Sequence, residues 1–134
     1  MPLVKVFTSA EIDESDDPDD LLRELSKLVA VQTGKDEDWV MTCILPGVPM
    51  TFGGLSEPAC YVEVKNIGGF TRDQSRVLSD MLCAVLSRWL DVPTTRIYIE
   101  FSAVEGHLWG WDSGTFEDDE QEPALASGSE SESP

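Results

Sequence analysis

Apolar positions along the chain follow two rhythms in turn, and the switch from one to the other happens twice. Residues 2–8 (Pro-Leu-Val-Lys-Val-Phe-Thr) alternate as a short strand. After an acidic loop, Glu11 to Asp20, Asp17 is placed to cap a helix with Pro18 at its first position. Leu21, Leu22, Leu25, Leu28 and Val29 then recur at helical spacing, and Gly34 suits the residue just past the end of a helix over 19–33. Trp39 to Leu45 reads as a strand, Pro46-Gly47-Val48-Pro49 as a turn, and Met50 to Phe52 as a short extended piece. The second round begins with Ala59 to Asn66, a strand ending at Gly68-Gly69. Thr71 and Gln74 form a capping box, and Val77, Leu78, Met81, Leu82, Val85, Leu86 and Trp89 mark one face of a helix over 72–90. Pro93 stops it, and Arg96 to Ser102 alternates as a strand. Two β-α-β repeats of this length predict an α+β fold, a four-stranded mixed sheet with both helices on one face. The other face then needs a cover, which predicts an oligomer.

Charge divides the chain. Of its 26 acidic residues seven lie in 117–134, a Ser- and Glu-rich segment with no basic residue, leaving 19 against 9 in residues 1–116 and a net of −10 there. The last segment carries too little apolar surface to offset its ordering entropy and is expected to be a disordered tail on a single domain of residues 1–116. A total of −17 argues against nucleic acid or an anionic membrane as partner, and an anionic ligand must meet a local positive site. No stretch is long and apolar enough to span a bilayer and no leader pattern opens the chain, so the reading is cytoplasmic, with leaderless secretion left open. Cys43, Cys60 and Cys83 are odd in number, have no metal-ligand spacing and read as buried free thiols.

The opening Met-Pro carries the most chemistry. A small second residue normally lets the initiator methionine be removed, which leaves the secondary amine of Pro2 free. Burial and a nearby positive charge lower an amine's pKa, so such a group is a general base when held in an apolar pocket beside a lysine. Alone, the dipeptide also begins many unrelated chains. Lys35 by itself suits a solvated helix end, and Trp111 with Phe116 would equally serve as apolar cover. Gly53-Gly54 lacks the Lys-Ser/Thr of a phosphate loop, and the single His107 reads as a surface residue.

Four stretches together give these residues a context: Met50-Thr51-Phe52-Gly53-Gly54-Leu55-Ser56-Glu57-Pro58, Asn66-Ile67-Gly68-Gly69, Arg96-Ile97-Tyr98-Ile99 and Gly110-Trp111-Asp112-Ser113-Gly114-Thr115-Phe116. In order over residues 1–116 they resemble the macrophage migration inhibitory factor family of the tautomerase superfamily. The resemblance implies a homotrimer of β-α-β-β-α-β subunits with a site at each subunit interface. It implies a cofactor- and metal-independent keto-enol tautomerase acting on aromatic pyruvates such as phenylpyruvate and on dopachrome-like compounds. Carried over, Pro2 is the base and Lys35 holds the substrate's carboxylate, with the backbone amide of Ile67 beside it. Tyr98 comes from the neighbouring subunit to the pocket floor. Trp109, Trp111 and Phe116 form the rim, and Trp39 stands where the family often has tyrosine.

The chain also departs from the pattern. Glu100 replaces an asparagine of the mammalian cytokine on the strand that carries Tyr98. A carboxylate there either repels the substrate's acid group or activates water, and the second case opens hydratase or dehalogenase chemistry with Pro2. A cytokine-like binding role is the other alternative. The residues support it weakly, since the Cys-x-x-Cys of the mammalian cytokine is replaced by Ala59-Cys60-Tyr61-Val62, and its chemokine-like Arg and Asp correspond to Ile12 and Gly47. Retention of the fold with a different physiological activity is a further alternative.

Overall fold

The structure, a computed structural model, describes residues 1–117. Of the acidic segment 117–134 only Glu117 is among them, so the expected tail lies outside the described residues. The first repeat is β1 (Leu3–Thr8), α1 (Pro18–Thr33) and β2 (Met41–Leu45); the second is β3 (Cys60–Ile67), α2 (Arg72–Leu90) and β4 (Ile97–Val104). Within each repeat the strands run parallel, and the repeats join through the antiparallel β1–β3 pair, giving the order β2-β1-β3-β4. The expected architecture is therefore present: a mixed four-stranded sheet with two helices on one face.

Alternation along the strands decides which face the helices cover. Val4 and Val6 of β1 and Val62 and Val64 of β3 are buried without exposure, and onto them pack Leu21, Leu25 and Val29 of α1 with Leu78, Leu82 and Leu86 of α2. Residues of the opposite parity, including Lys5, Phe7, Tyr61, Glu63, Tyr98 and Glu100, face away from the helices. On that open face Phe7 stacks on Tyr61 with ring centroids 6.0 Å apart.

Both helices begin as the residues dictate. The Asp17 side chain accepts from the Asp19 N–H with Pro18 opening the helix, and Thr71 with Gln74 closes a reciprocal capping box. The end of α1 positions the site. Gly34 takes φ +71°, its N–H donates to the Val31 carbonyl, and the N–H of Lys35 reaches back to the Ala30 carbonyl at 3.2 Å. This pair of bonds is a Schellman closure, and it requires the left-handed conformation that glycine adopts without penalty. A Cβ at Gly34 would meet nothing within 4 Å, so Gly34→Ala costs backbone strain alone. The expected loss is about 1 kcal/mol, read as a fall in Tm of ~4 °C on thermal unfolding.

One expectation is corrected. Trp39 and Val40 are not in a strand: Asp36 caps a 3-10 turn over Glu37–Trp39, and β2 starts only at Met41. The Met50 to Phe52 piece leads into a tight turn, in which Phe52 and Leu55 bridge across Gly53 and Gly54, both at positive φ. The short β5 (Gly110–Trp111) and β6 (Gly114–Thr115), a hairpin turning through Asp112 and Ser113 at positive φ, form one more unit.

Candidate active site

The starts of β1 and β2, the ends of β3 and β4, and the end of α1 all meet at one end of the sheet. Pro2 is buried there, its carbonyl accepting the Met41 N–H at 3.1 Å. The Schellman closure delivers Lys35 to the same end, where its Nζ donates to the Ile67 carbonyl at 3.1 Å. Ile67 is itself 3% exposed. The structure thus brings Pro2, Lys35 and Ile67 together, with the carbonyl of Ile67 as the group that Lys35 meets.

This place disfavours a positive charge. The Met1 amine is pushed down from 8.0 to about 5, chiefly by burial and further by the nearby Lys35 ammonium. The stability consequence has a definite sign. Between pH 5 and 8 the unfolded chain holds a proton that the folded chain rejects, so stability rises with pH through that window and levels above 8. The urea midpoint of the Met1-bearing chain is expected to climb accordingly, and a chain that keeps a formyl group on Met1 should lack that part of the slope.

The last described segment closes over this end. It leaves β4 through a turn at Gly106–Leu108, forms the β5–β6 hairpin, and returns so that the Phe116 N–H donates to the carbonyls of Gly106 and Trp109 at 3.2 and 3.1 Å. Trp39 meets Trp111 edge-on at 4.8 Å and Phe116 at 5.7 Å, while Trp111 and Phe116 stack at 5.7 Å. Phe116 is the sealed member at 3% exposure, whereas Trp39 and Trp111 remain 39% and 49% exposed. Trp109 enters through its backbone, and its half-buried ring stands outside the three-ring cluster. Removal of Trp39 from β2 is what lets it span from the sheet edge to the hairpin.

Tyr98 and Glu100 are not brought to this end. Tyr98 pairs with Tyr61, which pairs with Phe7, so it lies five residues along the strands from Pro2, about 16 Å at 3.3 Å per residue.

The chain is similar in sequence and in fold to known proteins. Residues 1–117 match the family model described as macrophage migration inhibitory factor. The chain belongs to the macrophage migration inhibitory factor family. It is 33% identical over 116 residues to the Xenopus tropicalis macrophage migration inhibitory factor, covering 87% of this chain and 99% of that one. The homologue from Trichuris trichiura is 35% identical over 97 residues, 72% of this chain and 85% of its own. The crystal structure of the Prochlorococcus marinus homologue superposes with a TM-score of 0.81 at 41% identity, covering 85% of this chain and 98% of that one.

Within this family frame, several residues acquire partners that periodicity does not disclose. The Tyr61 hydroxyl lies 2.9 Å from Glu100 Oε1 and 3.2 Å from Glu63 Oε2. Its pKa is raised to about 12, first by the hydrogen bond to Glu100, with Glu63 adding to it. The β3–β4 register sets Glu63 opposite Glu100, so the signal lay in strand pairing rather than in any motif. Cys60 is buried, while Cys43 and Cys83 are only half-buried, which corrects the expectation for those two. Burial pushes the thiols of Cys60 and Cys83 up. His107 is exposed in its turn, 2.8 Å from Glu105. Among the described residues no helix is long and apolar enough to cross a membrane.

Proposed function

We propose that the chain is a cofactor-independent keto-enol tautomerase of aromatic pyruvates such as phenylpyruvate and of dopachrome-like compounds, with Pro2 as general base once Met1 is removed. The observation that carries the reading is the depressed amine at the buried start of β1 beside Lys35. While Met1 is attached, the Pro2 nitrogen is an amide and has no basicity. Its release creates a secondary amine one residue further into the same end of the sheet, where burial and Lys35 favour the neutral form that accepts a proton.

The remaining roles follow from charge and shape. Taking a proton from the carbon beside a ketone leaves negative charge on oxygen, and the Lys35 ammonium is the cation at hand to hold the substrate's carboxylate and offset that charge. Trp39 and Trp111, packed on the buried Phe116, offer a ring-lined wall to an aromatic substituent, with Trp109 two residues before Trp111 in the chain. Tyr98, at the far end of the same sheet, and Glu100, at mid-strand in line with Lys5, join a Pro2 site if a second copy contributes them. That supports a homotrimer with sites between subunits, which would also cover the open sheet face. Glu100 has one oxygen engaged by Tyr61, an arrangement that favours a fixed acceptor over the water-activating carboxylate of a hydratase.

The test compares two preparations whose masses show Met1 removed or retained, by the absorbance change of phenylpyruvate enol going to ketone. Turnover is expected in the first alone. Equal rates in both would rule out the proline amine as the base.

A further inference from the structure

Arg96 spends its hydrogen bonds on the backbone of a single loop. Its Nε donates to the Pro58 carbonyl at 2.9 Å, Nη1 to Phe52 at 3.3 Å, and Nη2 to Leu55 at 3.1 Å and to Glu57 at 2.9 Å. These carbonyls belong to the segment between β2 and β3 whose tip is the two-residue turn at Gly53-Gly54. There Phe52 and Leu55 exchange both backbone hydrogen bonds, at 2.9 and 3.1 Å. A planar guanidinium with five N–H groups in a fixed fork suits four carbonyls at once, whereas a lysine ammonium has three donors on one atom. The Arg96 guanidinium carbon also lies 5.2 Å from the centroid of the Phe52 ring, within cation–π range.

The chain of contact continues outward. The Phe52 ring sits 4.7 Å from the Tyr98 ring at an interplanar angle of 43°. Tyr98 is 66% exposed on the open face of the sheet, so an exposed ring is braced on one side by Phe52. Arg96, two residues before Tyr98 in the chain, holds both the turn and the ring that does the bracing.

We infer that Arg96 is a positioning residue of the tautomerase site, which sets the pose of Tyr98 through Phe52. Presented by one copy to its neighbour, the Phe52–Tyr98 pair forms an aromatic wall that selects substrates carrying a ring. The inference rests on the trimeric tautomerase reading above. A wall of fixed tilt gains contact with a flat ring and little with an alkyl chain, so the effect of Arg96 falls on substrate preference rather than on proton transfer.

Arg96→Lys keeps the charge while losing the fork, and Phe52→Leu keeps the turn while losing the brace. For both, KM for phenylpyruvate is expected to rise about fivefold with kcat nearly unchanged, the signature of lost binding without lost chemistry. KM for an aliphatic 2-oxo acid should not move. The Tyr98 ring resonances should shift in both variants while those of the core remain in place. An equal rise in KM for both acids, or unmoved Tyr98 resonances, would overturn the inference. A wild-type chain inactive on both acids would instead overturn the reaction, and the Tyr98 resonances then decide the role of Arg96 by themselves.

Discussion

Replacing Pro2 by glycine is expected to lower turnover of phenylpyruvate enol about 10²-fold or more, since positioned acid–base groups contribute on that scale. Met1 is still removed ahead of a small residue, so the variant keeps a terminal amine; what it loses is the secondary amine held by a ring that locks φ. Lys35 remains to bind the carboxylate, and KM should therefore change little while kcat falls. Steady-state kinetics on mass-verified protein checks both numbers. The pH profile offers an independent reading of the same group. A base works only unprotonated, so kcat/KM of the wild type should fall as pH drops through the amine's pKa. Burial beside Lys35 should place that acid limb below the ordinary terminal-amine range near 8. An unchanged kcat in Pro2→Gly would remove the proline mechanism.

The second large effect is expected at Lys35. Methionine there keeps most of the unbranched stem and removes the charge, together with the bond to the Ile67 carbonyl. A charge-assisted hydrogen bond to a carboxylate contributes about 1.5–3 kcal/mol, so KM for phenylpyruvate should rise ~10- to 100-fold. Lys35 also acts on the amine through space, lowering the pKa of the terminal group beside it. Its removal should let that pKa climb, moving the acid limb of the pH profile to higher pH. KM separates an anchor from a bystander: a lysine that merely ends a helix beside the amine would move the limb and leave KM unchanged.

The elements of the fold were largely legible because their signals are local. Asp17-Pro18, Thr71 with Gln74, and Gly34 specify helix ends through bonds spanning a few residues, and α2 falls on the predicted 72–90. Where a side chain competed with the strand pattern, the reading failed: Asp36 captures the Asp38 N–H and turns Trp39 out of β2. The β5–β6 hairpin escaped for a different reason, since strands of two residues carry no periodicity and its turn is Asp-Ser rather than a glycine pair. Among the candidate site residues, Pro2 was singled out by the opening dipeptide and Lys35 and Ile67 by the family resemblance, and they meet at one end of the sheet. Tyr61 and Arg96 were not singled out, because one depends on cross-strand register and the other binds backbone carbonyls, which every residue possesses.

The sequence alone determined the two β-α-β repeats and the helix end at Gly34, with Lys35 just past it. Alternation and capping act within a few residues, so no distant partner is needed to read them. Tertiary structure decided how the repeats join: antiparallel through β1 and β3, which gathers the ends carrying Pro2, Lys35 and Ile67 and leaves Tyr98 at the other end of the sheet. It likewise decided the closure of Trp39, Trp111 and Phe116 over that end, and the grip of Arg96 on its loop. These depend on register and on contacts between residues far apart in the chain, where burial of side chains, not local propensity, selects the arrangement.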